Sequence, residues 1–220
     1  MYHANSTTLQ KNSRKRKLEE APLLEDDEEM PLPFIFPKMS SKNICSMNNN
    51  IYFNDDITND SIFGLNRELR MMDDKLIALS LIHKTEPTPI YLYLTTNGGD
   101  VYAAFSAVDC IKSLKCPVYT VVDGFVASAG TLLSLSGTKR FIQPNAYMLF
   151  HELRSGMWGK MTDIDQEYCN LKKLMNHLVK FYTDNTSISK SQLEKLLKKD
   201  ELWFRDECLK KGVVDEVVDF

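Results

Sequence analysis

The chain has 220 residues, enough for one substantial core and a tail. Its net charge of −3 argues against a general nucleic-acid binder, whose footprint is a basic face, and no apolar run is long enough to span a membrane. Cys45, Cys110, Cys116, Cys169 and Cys208 form no C-x-x-C pair, and His3, His83, His151 and His177 show no metal-ligand spacing. The composition therefore predicts isolated thiols in a reducing compartment, with neither a disulfide frame nor a zinc site.

Residues 1–48 carry blocks of like charge ("NSRKRKLEE", "EDDEE"), prolines and a polar run, "SMNNN". Such a stretch buries too little apolar surface to offset its ordering entropy and is expected to be mostly disordered. The run Arg14–Lys17 fits a nuclear-import signal and, equally, a solvated basic patch balanced by the acids after it. "PLPFIFP" is apolar enough to dock on a surface, or to belong to a segment removed on maturation. The N-terminus lacks the apolar core of a secretory signal, so a cytoplasmic protein is expected.

From residue 49 onward strands and helices alternate. "NIYF" reads as a strand, and Ile62, Leu65, Leu69, Met72, Leu76 and Leu79 form a helical stripe that ends before "TEPTP". "PIYLYLTT" is a buried strand, "NGGD" a turn and "VYAAFSAVDCIKSL" a helix. "CPVYTVV" is a further buried strand, "DGFVAS" a turn and "AGTLLSLSG" a short apolar helix. "KRFIQ" and "AYMLF" are strands around "PNA". Thr162, followed by Asp163, Asp165 and Glu167, reads as the N-cap of a long helix with Tyr168, Leu171, Met175, Leu178 and Tyr182 on one stripe. Ser191 and Glu194 suggest a capping box, "DECLKKG" a short helix closed by Gly212, and "VVDEVV" a last strand. This order predicts an α/β protein with a largely parallel sheet wrapped by helices.

Three features carry possible chemistry. "TTNGG" (95–99) ends a buried strand, where open α/β sheets place ligands, and paired glycines let backbone N–H groups approach a substrate oxygen. "VASAG" ends the next strand and puts Ser128 at a helix start, among free N–H groups. His151 follows "AYMLF" at a strand mouth. Each has a bland reading: a plain turn, a small residue closing a turn, a structural histidine. Together they supply the nucleophile, base and oxyanion donors that acyl transfer needs.

Residues 51–220 resemble the ClpP family, the proteolytic subunits of ATP-dependent serine proteases in the ClpP/crotonase superfamily. The resemblance rests on "IYLYLTTNGGDVYAAFSAVDCIKSLKCPVYTVVDGFVASAGTLLSLSG", "KRFIQPNAYMLFH", "GKMTDI" and the E-C-x3-G-x2-D pattern of 207–215. It implies a ClpP/crotonase-like fold of repeated ββα units with a protruding handle helix, residues 49–220 forming the protease domain. It implies Ser128 as nucleophile, His151 as general base, and the backbone N–H groups of Gly99 and Ala129 as the oxyanion hole. Asp184, Asp200 and Asp206 are indistinguishable from the residues alone; the resemblance selects Asp200, seven residues before Glu207, as the third member of the triad. The order Ser–His–Asp and the absence of G-x-S-x-G set this chain apart from α/β-hydrolases.

The same resemblance implies a serine endopeptidase acting on unfolded polypeptides inside a chamber of self-associated subunits, in the family two stacked heptamers. An AAA+ unfoldase would feed it and use the ATP, so this chain needs no cofactor or metal, and neither nucleic acid nor membrane is an expected partner. Departures from the family pattern bear on these partners. "TTNGGD" lacks the family proline, "ELRSG" follows His151 in place of a Q-P and glycine-rich stretch, the first helix is longer, and the N-terminal tail replaces a short loop. Three other readings remain: a catalytically inactive ring subunit, a crotonase-type acyl-CoA enzyme, and a relative of the membrane-bound signal-peptide peptidases, which pair serine with lysine.

Overall fold

The computed structural model describes residues 43–218. The expectations for the charged segment, Arg14–Lys17 and "PLPFIFP" lie outside the described residues. One of them extended further: the stretch expected to be unstructured up to residue 48 holds strand β1 (Ile44–Met47), which pairs antiparallel with β2 (Asn50–Asn54). Ile44 is buried there, an apolar anchor set among polar residues that hid the strand.

Helix α1 (Asn59–His83) begins with a capping box in which the Thr58 side chain accepts from the Ser61 N–H at 3.1 Å, and it ends at Lys84 in the left-handed conformation. Ile62, Leu65, Leu69, Met72 and Leu76 face the core as expected, but Leu79 is exposed and Ser80 takes its place. Five turns of about 3.6 residues make about 18, which brings residue 80 rather than 79 over Ile62.

The parallel core of the sheet is β2, β3 (Ile90–Thr96), β4 (Val118–Ala127), β5 (Lys139–Ile142) and β8 (Glu216–Val217). Period-two alternation divides its faces. Ile51, Leu92 and Thr120 form one buried row, and Phe53, Leu94 and Val122 the next, while Tyr52 stacks on Tyr93 at 4.7 Å on the opposite face. Helices α2 (Val101–Ser113) and α3 (Gly130–Leu135) contribute Ala104, Ala107, Leu132 and Leu133 to the core cluster.

Strand β4 corrects one expectation and positions the site. "DGFVAS" reads as a turn, yet the strand runs through it to Ala127. The register to β3 slips between Leu94 and Thr96, and the Thr95 hydroxyl ties the bulge by donating to the Asp123 carbonyl at 2.5 Å. Below the bulge β4 pairs with β5; above it Phe125–Ala127 pair with β6 (Tyr147–Phe150). The bulge lets one strand serve two neighbours.

Helix α4 (Met161–Asn185) starts after Lys160, without a side-chain cap, rather than at Thr162. Its stripe splits: Leu178 and Tyr182 are buried with Val179 and Phe181, whereas Met161 and Tyr168 near its start are exposed. The capping box of α5 (Lys190–Leu197) is formed by Ser189 and Gln192, two residues before the expected Ser191–Glu194 pair. Strand β7 (Glu201–Phe204), for which the sequence carries no periodic signal, runs antiparallel to β6 and leads into α6 (Arg205–Lys210). The architecture is the expected largely parallel sheet wrapped by helices. No described helix is long and apolar enough to cross a membrane.

Candidate active site

The parallel register between β4 and β6 ends at Ala127 opposite Leu149. Adjacent strands lie about 4.8 Å apart, so Ser128, one residue on, and His151, two residues on, emerge side by side at the same sheet edge. The Ser128 N–H donates to the Leu149 carbonyl at 3.0 Å and extends this pairing. The antiparallel register of β6 with β7 pairs Phe150 with Glu201, and one further step sets Asp200 across from His151. Three consecutive strands, β4, β6 and β7, thus bring the three sequence-selected residues to one edge.

Ser128 sits at φ 54°, a left-handed conformation that costs a side chain roughly 1–3 kcal/mol and persists where its surroundings enforce it. Its carbonyl accepts from the Thr131 N–H at 3.0 Å and the Thr131 hydroxyl at 2.6 Å, which pins the turn from behind. Gly98 (φ 93°) packs against the turn so closely that a Cβ there would lie 2.6 Å from the Ser128 Cβ. Gly99 follows, bridged to Ile57 by bonds on either side of it: Ile57 N–H to the Gly98 carbonyl and Asp100 N–H to the Ile57 carbonyl, each 2.8 Å. The N–H groups of Gly99 and Ala129 have no acceptor among the described residues. Helix α3 has only six residues, so these individual N–H groups, rather than a long helix dipole, are the relevant donors.

Ser128, Ala129, Gly99 and His151 line one cavity of about 450 Å3, which Leu171, Met175 and Leu178 of α4 close with apolar surface. The half-buried His151 ring places Nδ1 2.7 Å from the Glu152 carbonyl oxygen. A carbonyl can only accept, so Nδ1 is the donor in this contact and Nε2 is the ring nitrogen left to act as a base. The segment after His151 is anchored by the Glu152 N–H donating to the Leu197 carbonyl at 2.8 Å.

Asp200 shares the edge but not these contacts. Its carboxylate is ion-paired with Arg154, both side chains being more than half exposed, and Asp200 itself adopts φ 50°. Aspartate tolerates this conformation better than most residues. Neither Arg154 nor Thr131 was singled out in the sequence. Both depend on contacts between segments far apart in the chain, and the only local signal was that "ELRSG" departs from the family pattern.

A largely parallel α/β sheet brings Ser128, His151 and two unengaged N–H groups to one cavity, the set of groups that acyl transfer by a serine hydrolase uses. Residues 49–220 match the Clp protease family. The chain is 34% identical over 157 residues to the ATP-dependent Clp protease proteolytic subunit of Streptococcus suis, covering 69% of this chain and 80% of that one. It is 30% identical over 171 residues to proteolytic subunit 2 of Treponema pallidum, covering 77% and 81%. A ClpP1 point mutant from Listeria monocytogenes superposes with a TM-score of 0.65 at 22% identity, over 76% of this chain and 89% of that one, and so shares the fold. The chain belongs to the Clp protease family, and its function is that of a ClpP-like serine peptidase.

Proposed function

We propose that the chain hydrolyses peptide bonds through Ser128, His151 and Asp200, with Gly99 and Ala129 as oxyanion donors. The observation that carries the proposal is the convergence of Ser128, His151 and two free N–H groups on one cavity, part of whose wall is the apolar face of α4. Ser128 Oγ attacks the scissile carbonyl while His151 Nε2 takes its proton. The carbonyl oxygen, now negative, is met by the two N–H groups. The imidazolium then protonates the leaving amine, and water, activated by the same nitrogen, releases the acyl group from Ser128.

Asp200 must leave Arg154 to reach the imidazole, and the register that ends with Phe150 opposite Glu201, one residue short of each, supports that approach. Leaving Arg154 for the imidazole, it stabilises the cation formed on proton transfer. The Glu152 carbonyl already fixes the tautomer, so the gain from Asp200 is chiefly electrostatic.

The apolar residues left exposed around the start of α4, with Trp158 fully exposed beside Met157, Met161 and Tyr168, support self-association into a chamber. In this reading an AAA+ unfoldase supplies unfolded chains and spends the ATP, and the protein works in the cytoplasm. The Arg154–Asp200 pair favours one alternative, a ring subunit that is catalytically silent. Hydrolysis of casein and of small peptides by wild type and Ser128→Ala, with and without a candidate unfoldase, tests the proposal. Wild-type hydrolysis that the alanine variant loses supports it; unchanged hydrolysis in the variant, or none in either protein, overturns it.

A further inference from the structure

Behind the serine turn lies a buried chain of hydroxyls. Tyr182, from the last turns of α4, is 5% exposed, and its hydroxyl lies 2.5 Å from Thr131 Oγ1. Thr131, fully buried on α3, has its Oγ1 2.6 Å from the Ser128 carbonyl. The carbonyl can only accept, so the single Thr131 hydroxyl proton goes to Ser128, and the Tyr182 O–H must donate to Thr131. Burial pushes the Tyr182 phenol up to about 12, so it holds this proton throughout the neutral range.

The geometry points to Tyr182 and Thr131 as positioning residues for the oxyanion hole. The inference rests on the proposed role of Ser128 and Ala129. The Ser128 carbonyl and the Ala129 N–H belong to one peptide unit, which is planar and trans, so the two groups point in opposite directions. Two hydrogen bonds from Thr131 fix the carbonyl on the buried side. They thereby hold the Ala129 N–H toward the cavity, on the side where the oxyanion forms. Tyr182 fixes the Thr131 hydroxyl rotor that makes the shorter of these bonds. Consecutive donors also polarise one another, and a carbonyl that accepts two bonds makes its own amide N–H a stronger donor. Tyr182 reaches this turn from α4, so the helix that walls the substrate cavity also holds the oxyanion donor in line.

The test uses the full-length assembled protein, a fluorogenic peptide and a peptide boronate that mimics the tetrahedral intermediate. Tyr182→Phe keeps the ring and removes only the hydroxyl; Thr131→Val is nearly isosteric and removes the next one. Each is expected to lower kcat roughly tenfold, a fraction of the ~100- to 1000-fold lost with an entire oxyanion donor. KM stays near wild type, and boronate affinity falls by a factor similar to kcat. The double variant loses little more than either single one, because both break one chain, and Thr131→Ser recovers most of what Thr131→Val loses. Wild-type kcat in both single variants overturns the inference. So does a change confined to KM, or a loss of kcat that disappears on cooling as a loosened fold tightens. Ser128→Ala, run alongside, separates the two levels. Activity retained there removes the nucleophile and the inference with it; an inactive Ser128→Ala beside a fully active Tyr182→Phe and Thr131→Val removes the inference alone.

Discussion

Gly98→Ala perturbs the serine turn without replacing a reacting group. At φ 93° the new Cβ would lie 2.6 Å from the Ser128 Cβ and 2.8 Å from the Ala127 carbonyl oxygen. Ordinary contact begins at 3.4 Å, so the turn must yield by about 0.8 Å, and the nearest atoms belong to the serine turn itself rather than to a flexible side-chain end. A misplacement of about 1 Å can cost on the order of 100-fold in rate, and the left-handed backbone adds roughly 1–3 kcal/mol of strain. Gly98→Ala is thus expected to lower kcat about 100-fold and also to lower the urea midpoint. Gly124→Ala is the matched control. Gly124 also has a positive φ, 76°, but nothing lies within 4 Å of its Cβ position, so only the backbone term of roughly 1–2 kcal/mol remains and kcat is unchanged. Peptide hydrolysis and urea unfolding on the two variants decide the matter. Wild-type kcat in Gly98→Ala, or equal losses of kcat in both, would refute the close-packing argument.

Asp200→Asn is expected to lower kcat roughly 10- to 100-fold, well short of the ~10⁴-fold that follows when the tautomer is lost, because the Glu152 carbonyl still holds Nδ1–H. Arg154→Gln frees Asp200 from an exposed ion pair worth at most about 1 kcal/mol, so kcat should rise by up to about fivefold; a collapse of activity would show that Arg154 serves the chemistry instead. Asp215 offers a pH-dependent test of stability. Burial by itself would raise its pKa, but hydrogen bonds from the Arg140 guanidinium and backbone N–H outweigh this and hold the carboxyl below its ordinary 3.8. Its contribution is present above that value and is lost as pH falls through the lower folded value. The urea midpoints of wild type and Asp215→Asn should therefore differ at pH 7 and converge only as the pH is taken below 3.8. Asp73 accepts from the Lys115 and Cys116 N–H groups at 3.1 and 2.7 Å and ties α1 to the start of β4. Asp73→Ala strands both donors and should destabilise by about 3 kcal/mol in chemical unfolding, with kcat of the folded fraction unchanged.

The alternation of strand and helix was legible because the core segments carry distinct signals: a short apolar run in "IYLYLTT" and a 3.6-residue period in α1. The errors fall where structure depends on a distant partner. Asp123-Gly124 has the composition of a turn, and only the exchange of β5 for β6 as neighbour keeps β4 extended there. Residues 201–204 follow a helix and carry no alternating pattern, so β7 was invisible, although its register is what sets Asp200 beside His151. Asp200 could therefore be chosen from the sequence only through the family resemblance. Ser128, Gly99 and Ala129 were readable as small residues at strand ends. The hydroxyl chain was not, since Thr131 and Tyr182 are 51 residues apart and each looks like ordinary helix interior. Arg154 was likewise silent, because a charged residue in an exposed loop has many bland explanations.

The central claim is that Ser128 is a nucleophile activated by His151. Labelling the full-length protein with a fluorophosphonate and locating the adduct by peptide mass spectrometry tests it most directly. The account predicts a single adduct on Ser128 that is absent in Ser128→Ala and strongly slowed in His151→Ala. An adduct on another residue, or labelling of Ser128 that is indifferent to the loss of His151, would contradict it.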